Sequence, residues 1–199
     1  MYEKIFATIY DPVMHNLENK FLREKRKTLL KDLQSPVLEI GFGTGANLDF
    51  YPNTIELYAI DKSPYMLEKF KKKIDGKSIH SYAFQERIDK NLNLNKLPKF
   101  SSIVSTLTLC SVQNLEKALK NIYDLLKPNG IFFVLEHIHS KTKIYGTLQN
   151  IISPFWKLIG DGCHINRKTD EEIKKFFYPD YEEYFFYGMD FYLARLKKK

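Results

Sequence analysis

The stretch Val37-Leu38-Glu39-Ile40-Gly41-Phe42-Gly43-Thr44-Gly45 decides the fold of this chain. A short apolar run ends there in a glycine-rich turn, and a second apolar run, Ile55 to Ile60, ends at Asp61 about 20 residues after Gly41. Glycine has no Cβ, so the backbone of such a turn can approach a bound nucleoside closely. An acid at the end of the next strand accepts hydrogen bonds from ribose hydroxyls. The sequence therefore predicts a strand–turn–helix–strand unit that binds a nucleoside-containing cofactor.

Further apolar runs and turn signals predict one α/β domain over residues 1–199. The pattern from Met14 to Leu33 predicts an amphipathic helix with a basic face. Five runs predict parallel strands, because a parallel sheet is covered on both sides; they are residues 37–40, 55–60, 78–84, 101–107 and 131–136. Helices are expected between them at 44–51, 64–74 and 115–126, the second capped by Ser63-Pro64 and the third ended by Pro128-Asn129-Gly130.

The alternation of strands and helices stops after Glu136. Residues 142–159 are expected to be helical with an interruption near Pro154, residues 169–177 form a further helix, and residues 181–187 and 191–196 form two strands close enough to pair as a hairpin. The expected fold is thus a doubly wound α/β domain whose mostly parallel seven-stranded sheet ends in a C-terminal antiparallel hairpin. Residues 1–35 would form a helical lid, 36–136 the cofactor-binding core, and 137–199 the acceptor-side segment and C-terminal strands.

Composition limits the partners. The 199 residues are 44% hydrophobic, enough for the core of one domain, and carry a net charge of +7. The basic clusters are either solvated helix faces or a patch for an anionic membrane or nucleic acid. No run approaches the roughly 18 apolar residues of a membrane span, and the first residues do not have the apolar core of a signal peptide. With two cysteines, we expect a cytoplasmic protein with free thiols.

The residues around the turn distinguish between nucleoside cofactors. Ala46 stands where a dinucleotide-binding turn often has its third glycine, and no Gly-Lys-Ser/Thr follows, which excludes a P-loop. Glu39 suits a ligand with a positively charged end. Together with Asp61 on the ribose, this describes S-adenosylmethionine, with S-adenosylhomocysteine as the product.

The ordered motifs from Pro36 to Glu136 resemble the class I S-adenosylmethionine-dependent methyltransferases. They are the glycine turn, Ile60-Asp61-Lys62-Ser63-Pro64 with Met66 following, and Leu126-Lys127-Pro128-Asn129-Gly130 before strand five. The resemblance implies that residues after strand three contact the adenine and that Thr106 to Leu109 line the methyl-transfer site. Tyr10 is either a lid over the cofactor or a core residue. The implied cofactor-binding residues are Tyr10, Glu39, Gly41, Phe42, Gly43, Thr44, Gly45, Asp61, Lys62, Ser63, Met66, Gln85, Glu86, Thr106 and Leu107.

Further strings narrow the resemblance to the methyltransferase-like subfamily that includes thiol S-methyltransferases. They are Thr106 to Gln113, Phe133 to His137, and Trp156 with Gly160-Asp161-Gly162-Cys163-His164 and Arg167. The implied activity is methyl transfer to a small-molecule acceptor, with a thiol as one candidate. Asp161, His164 and Arg167 are the candidate catalytic residues; His137 or Glu136 are weaker candidates for a base. Arg167 either binds an anionic group or holds Asp161.

The sequence predicts no metal site, because His137, His139, Cys163 and His164 do not show paired ligand spacing. Cys110 is expected to pack behind the cofactor loop. The aromatic side chains Phe155, Trp156, Tyr187 and Phe191 either wall an apolar acceptor pocket or, by default, pack in the core.

Three alternative functions stay open at this point. The first is methylation of a lipid amine or quinone precursor at a membrane surface, using the basic N-terminal helix. Nucleic-acid methylation is disfavoured, because strand four ends in Ser105-Thr106-Leu107-Thr108 rather than in a base-binding Asn/Asp-Pro-Pro-Phe/Tyr motif. The last is a non-catalytic cofactor-binding protein. No obligate protein partner is inferred.

Overall fold

The computed structural model describes residues 7–8, 12, 21–90 and 97–199. Within these ranges five α-helices and seven β-strands follow one another as α1 Arg23–Leu30, β1 Val37–Ile40, β2 Glu56–Asp61, α2 Pro64–Ile74, β3 His80–Gln85, β4 Phe100–Thr106, α3 Leu115–Leu125, β5 Leu126–His137, α4 Lys143–Ile159, α5 Thr169–Phe176, β6 Phe177–Phe186 and β7 Asp190–Lys198. Two short 3-10 helices, Leu48–Phe50 and Leu109–Ser111, lie in the loops after β1 and β4.

The seven strands form one sheet in the order β3-β2-β1-β4-β5-β7-β6. Neighbours from β3 to β5 are parallel, whereas β7 is antiparallel to both β5 and β6. The predicted fold class is therefore confirmed. Because β1 and β4 are adjacent but not consecutive, the strand order reverses between them, and ligands of doubly wound sheets bind beside the carboxyl ends of strands at such a point.

The helix that follows β2 shows how local sequence sets these boundaries. The Ser63 hydroxyl accepts a hydrogen bond from the backbone N–H of Met66, and Pro64 occupies the first helical position. These are the cap and first-turn roles that the sequence predicts. The helix buries Met66, Phe70 and Ile74 on one face, and this places the Asp61 end of β2 beside the glycine turn.

Three predicted elements differ in the structure. A helix over 44–51 is wrong: the left-handed φ of +81° at Gly45 delays regular structure to the 3-10 helix Leu48–Phe50. Strand β5 begins at Leu126, so Pro128-Asn129-Gly130 lies within it; pairing moves from Phe100–Leu126 directly to Ser102–Ile131, which leaves these residues as a bulge. Helix α4 runs unbroken through Pro154, contrary to the expected interruption.

The structure describes the predicted N-terminal helix only from residue 21, and α1 itself begins at Arg23. The earlier part of that prediction, residues 14–20, lies outside the described residues, and so does Tyr10. The described part packs on β5 and β7 rather than standing in solvent. Leu22, Leu29 and Leu30 are buried, as the apolar stripe predicts. The expectation that its charges face water is wrong for Arg26, which is 2% exposed.

Buried side chains cover both faces of the sheet in two clusters. One contains Leu119, Ile122 and Leu125 of α3, and the other contains Phe70 of α2 together with Leu29 and Leu30 of α1. Within the described ranges, every helix is too short or too polar to cross a bilayer.

Candidate active site

A cavity of about 440 Å³ opens at the carboxyl ends of β1, β2 and β4. The glycine turn, the end of β2, the loop after β3 and the loop after β4 form one side of it. The segment 156–165 and the β6–β7 turn region form the other side. The topology therefore brings the predicted cofactor motifs together around one space.

The glycine turn forms the floor of the cavity. Gly41, Gly43 and Gly45 all have positive φ, at +69°, +53° and +81°. A Cβ on Gly41 would lie 2.2 Å from Thr108 Oγ1, so this glycine is needed for packing against the loop after β4. A Cβ on Gly43 would meet no atom within 4 Å. Gly43 therefore faces the open cavity, where a bound nucleoside can approach the backbone closely.

Asp61 connects the glycine turn to helix α2. Its Oδ2 accepts a hydrogen bond from Gly43 N at 3.0 Å, and its Oδ1 accepts one from Ser63 N at 2.9 Å. Burial raises the pKa of this carboxyl, and the two backbone donors oppose the rise. The carboxylate lines the cavity. Oδ2 holds the glycine turn, Oδ1 holds the beginning of α2, and each oxygen retains a further lone pair for a ligand hydroxyl.

A buried polar network lies beneath the turn. Glu39 Oε1 accepts from Asn47 Nδ2 at 2.8 Å, and Arg26 Nη1 donates to Asn47 Oδ1 at 2.7 Å and to Thr106 Oγ1 at 2.6 Å. Burial raises the pKa of Glu39 to about 7, against the lowering effects of Asn47 and Arg26. The carboxyl does not line the cavity. It supports the turn from below, and α1 contributes Arg26 to that support.

The loop after β4 is held in a strained conformation. Leu107 lines the cavity with a φ of +55°, which is costly for a residue with a branched side chain. Glu136, fully buried at the end of β5, accepts hydrogen bonds from Thr108 N and Leu109 N, both at 2.9 Å. Glu136 is thus occupied in fixing this loop rather than placed as a base.

The loop after β3 contributes residues that the sequence reasoning missed. Glu86 lines the cavity as predicted, whereas Gln85 points away and donates to Lys62 O at 3.3 Å. Ile88 and Asp89 also line the cavity. Asp89 accepts from Asn114 N at 3.1 Å and pairs with Arg87, so it fixes this loop against α3. Asp89 lies three residues after Glu86, the last residue that the sequence predicted for this side of the site.

Comparison with known proteins identifies this arrangement. A methyltransferase domain family model matches residues 38–132. Thiol S-methyltransferase TMT1B of Rattus norvegicus is 35% identical over 167 residues, which cover 78% of this chain and 68% of the rat protein. Thiol S-methyltransferase TMT1A of Homo sapiens is 29% identical over 168 residues, covering 79% and 68%.

The chain belongs to the thiol S-methyltransferase family. The N-methyltransferase NodS of Bradyrhizobium japonicum, solved with S-adenosyl-L-homocysteine, has a similar fold, with a TM-score of 0.69 at 18% identity over 90% of this chain and 88% of that one. The protein is an S-adenosylmethionine-dependent methyltransferase that transfers the methyl group to a small-molecule acceptor. The sequence prediction of class, donor and subfamily is confirmed.

The predicted cofactor residues of this methyltransferase fall into two groups. Eight of them line the cavity: Gly41, Gly43, Asp61, Lys62, Met66, Glu86, Thr106 and Leu107. Six do not: Glu39, Phe42, Thr44, Gly45, Ser63 and Gln85. Phe42 packs on Phe70 with ring centroids 4.4 Å apart, and a Cβ on Gly45 would meet the Leu48 side chain at 2.7 Å. Within this second group, Phe42 and Gly45 therefore shape the turn by packing beneath it.

The three candidate catalytic residues separate in the structure. Asp161 lines the cavity and pairs with Lys62, with Nζ and Oδ2 2.9 Å apart. His164 and Arg167 stand behind the cavity wall. His164 Nδ1 lies 3.1 Å from Cys110 O, and Arg167 Nη1 donates to Leu109 O and Val112 O at 2.6 and 2.7 Å. Arg167 thus fastens the 3-10 helix after β4, a role that neither sequence-based alternative had foreseen.

Two cysteines and a histidine meet on the acceptor side. Cys110, His137 and Cys163 each offer one ligand atom, and these atoms all lie within 4.8 Å of one another. His137 Nε2 is 3.1 Å from Cys163 Sγ. The Cys163 thiol lowers the pKa of Cys110 well below its usual value, and the same interaction raises that of Cys163. All three side chains line the cavity.

The rest of the acceptor side is apolar. Trp156, Ile159, Ile165, Met189 and Phe191 line the main cavity there. A second cavity of about 200 Å³ lies between α4 and the β6–β7 turn and shares Trp156, Ile165 and Met189 with the first. Of the aromatic residues considered for an acceptor pocket, Trp156 and Phe191 are thus in place. Core packing is wrong for Phe155, which is 71% exposed.

Proposed function

We propose that this methyltransferase transfers the methyl group of S-adenosylmethionine to the sulfur of a small apolar thiol. The apolar wall opposite the glycine turn is the observation that carries the proposal. Trp156, Met189 and Phe191 offer contact area to a hydrocarbon skeleton and few hydrogen-bonding groups for a polar one. Relatives with 29% to 35% identity are named as thiol S-methyltransferases, which supports sulfur as the accepting atom.

The reaction is an in-line displacement. The acceptor thiolate forms a new S–C bond to the methyl carbon, the C–S bond of the sulfonium breaks, S-adenosylhomocysteine leaves, and the thiol proton passes to solvent. Because the sulfonium is already activated, the protein has to position the two sulfurs and exclude water. The glycine turn and Asp61 would orient the donor, and the apolar wall would desolvate the thiolate.

A matched acceptor series tests this proposal. The protein is incubated with methyl-labelled S-adenosylmethionine and one aromatic skeleton carrying a thiol, an amine or a hydroxyl group. Label is expected in the thioether and at background in the other two products. Gly43→Val is the control, because filling the cofactor space should abolish transfer to every acceptor. Transfer to the amine or hydroxyl compound at the rate of the thiol would overturn the assignment of sulfur.

Helix α4 favours a second candidate, in which the acceptor is taken from a membrane surface. The helix turns its small and polar residues Gly146, Gln149 and Ser153 to the protein. Its large apolar residues face solvent: Ile144 is 82% exposed, Leu158 73%, Phe155 71%, Ile151 64% and Ile159 64%. A helix at the surface of a globular domain normally turns its apolar face to the core and its polar face to solvent, which is the opposite arrangement. The helix contains lysines but neither aspartate nor glutamate, which suits an anionic bilayer surface.

The contacts of the N-terminal helix argue against it as the membrane-binding element. Arg26 is buried, Lys25 forms an ion pair with Glu183, and Arg23 Nη1 lies 3.6 Å from Asp49 Oδ2. These cations are therefore engaged within the protein, whereas α4 offers an apolar face that the described residues leave uncovered.

Vesicle co-sedimentation distinguishes the two routes of acceptor entry. The double variant Phe155→Ser/Leu158→Ser should release the protein from anionic vesicles if α4 binds the surface. The matched control is Tyr178→Ser, a change at an exposed aromatic residue on β6. Equal sedimentation of wild type and double variant would refute the membrane-surface candidate and leave an acceptor that diffuses in water.

A further inference from the structure

Cys110, His137 and Cys163 come from three separate parts of the chain. Cys110 lies in the 3-10 helix after β4, His137 ends β5, and Cys163 follows α4. The fold alone brings their ligand atoms within 4.8 Å of one another. The backbone N–H of His164 donates to Cys110 O at 3.0 Å, which holds Cys163 next to Cys110. The cluster opens onto the cavity that holds the predicted cofactor motifs.

We propose that these three side chains bind a zinc ion whose fourth position faces the cavity. Two thiolates and one imidazole are a donor set that zinc prefers, and three protein ligands with one open position are the pattern of catalytic rather than structural zinc sites. Two thiolates also balance the charge of the divalent ion, so that the loaded site is neutral overall.

The distances suit a tetrahedral site. With Zn–S bonds near 2.3 Å and a Zn–N bond near 2.05 Å, tetrahedral geometry requires about 3.8 Å between the sulfurs and about 3.6 Å between nitrogen and sulfur. His137 Nε2 and Cys163 Sγ are 3.1 Å apart, and no pair in the cluster exceeds 4.8 Å. Movements of about 1 Å or less, within the reach of side-chain rotation, therefore complete the site.

Two of the three ligands are buried in the protein. His137 is 6% exposed and Cys110 is 2% exposed. The ligand nitrogen of His137 is Nε2, the atom that lies 3.1 Å from Cys163 Sγ. The protein therefore shields the site from bulk water except on the side of the cavity.

The consequence for the reaction rests on the proposed function. An acceptor thiol that occupies the open position would bind as a thiolate and release its proton, because zinc-bound thiols are deprotonated. Its sulfur would then form the S–C bond to the methyl group of the sulfonium. The product is a neutral thioether, a weaker zinc ligand than the thiolate, so the product can leave the metal and the site returns to its initial charge.

Metal content is the first test. Protein purified from zinc-supplemented cells should hold about one zinc per chain, measured by elemental analysis against protein concentration. Cys163→Ser and His137→Asn should each lower that content severalfold. His80→Asn, at an exposed histidine on β3, is the matched control and should retain the metal. Zinc content that is negligible in the wild type, or unchanged in both ligand variants, would overturn the proposal.

Cobalt substitution of the unaltered protein avoids dependence on the variants. Cobalt should give the intense visible bands of a tetrahedral site and a thiolate charge-transfer band, and adding a small thiol should shift both. An octahedral spectrum would overturn the site. So would mass spectrometry showing that Cys110 and Cys163 form a disulfide in protein purified without reductant, with no metal bound. A tetrahedral spectrum in a protein that methylates amines but not thiols would keep the zinc site and refute the proposed function.

Discussion

Replacement of Glu39 by glutamine is expected to remove a large pH dependence of stability. Glu39 is 1% exposed, and burial, opposed by the hydrogen bond from Asn47 and the charge of Arg26, raises its pKa from 4.5 to about 7. In the unfolded chain the carboxyl ionises near its ordinary value. Between the two values the folded state keeps a proton that the unfolded state releases. The stabilisation is therefore fully present below about pH 4.5 and is lost as pH rises through about 7.

The magnitude follows from the two pKa values. The interval from 4.5 to about 7 corresponds to about 3.4 kcal/mol at 1.36 kcal/mol per pKa unit. Integrating the linkage relation, about 2.5 kcal/mol of this falls between about pH 5 and pH 8. Glutamine has the same shape and keeps an oxygen for the Asn47 donor, but it does not titrate. That difference is a sizeable part of the roughly 5–15 kcal/mol stability of a typical domain.

Urea unfolding of the ligand-free protein across this pH range measures the effect. The free energy of unfolding of Glu39→Gln, minus that of the wild type, should grow by about 2.5 kcal/mol from pH 5 to pH 8. Glu116→Gln, at an exposed carboxyl on α3, is the matched control and should follow the wild type. Parallel curves for Glu39→Gln and wild type would show that Glu39 is not buried beneath the turn as described.

Three further predictions concern the turn, the network and the cavity edge. Gly43→Ala should abolish S-adenosylhomocysteine binding in calorimetry at a stability cost of roughly 1–2 kcal/mol for its left-handed φ, whereas Gly41→Ala should lower the melting temperature more, because its Cβ would clash. Arg26→Met should cost about 2–4 kcal/mol in urea unfolding, because it removes the donor to buried Asn47 Oδ1 and one of two donors to Thr106 Oγ1, while Lys27→Met at an exposed site should cost little. Asp161→Asn should raise the KM for S-adenosylmethionine severalfold with little change in kcat; a fall in kcat alone would restore Asp161 as a residue acting on the acceptor.

Local patterns predicted the fold because each strand of the cofactor core carries its own signal. Val37–Ile40 is bounded by Pro36 and Gly41, and the Ser63-Pro64 pair marks the beginning of α2. Strands paired as expected because doubly wound topologies permit few orders. The predicted boundaries of helices and strands were wrong where tertiary packing overrode a local sequence signal. Pro128-Asn129-Gly130 reads as a turn, yet the chain crosses it as a bulge within β5.

The candidate site could be predicted where it depends on local backbone geometry. It was harder to predict where side chains distant in sequence meet in the fold. Glycines and an acid at the ends of neighbouring strands indicate a nucleoside-binding site from the sequence alone. Cys110, His137 and Cys163 are separated by 26 residues or more, so their spacing resembles no metal motif. The position of Arg26 was unpredictable for a similar reason: its partners Asn47 and Thr106 belong to distant loops, and in sequence it is one of several basic residues on a helix.

The loop after α4 connects the exposed face of that helix to the chemistry of the cavity. Residues 160–163 carry Asp161 to Lys62 at the cofactor end and Cys163 to His137 at the acceptor end. Asp161 adopts a positive φ of 51°, so this loop is held in a conformation that its neighbours must enforce. Helix α4 leads directly into this loop. A membrane surface that binds the helix would therefore affect both the cofactor end and the acceptor end of the cavity. Loss of the apolar face of α4 in the Phe155→Ser/Leu158→Ser variant is therefore expected to alter KM for both donor and acceptor.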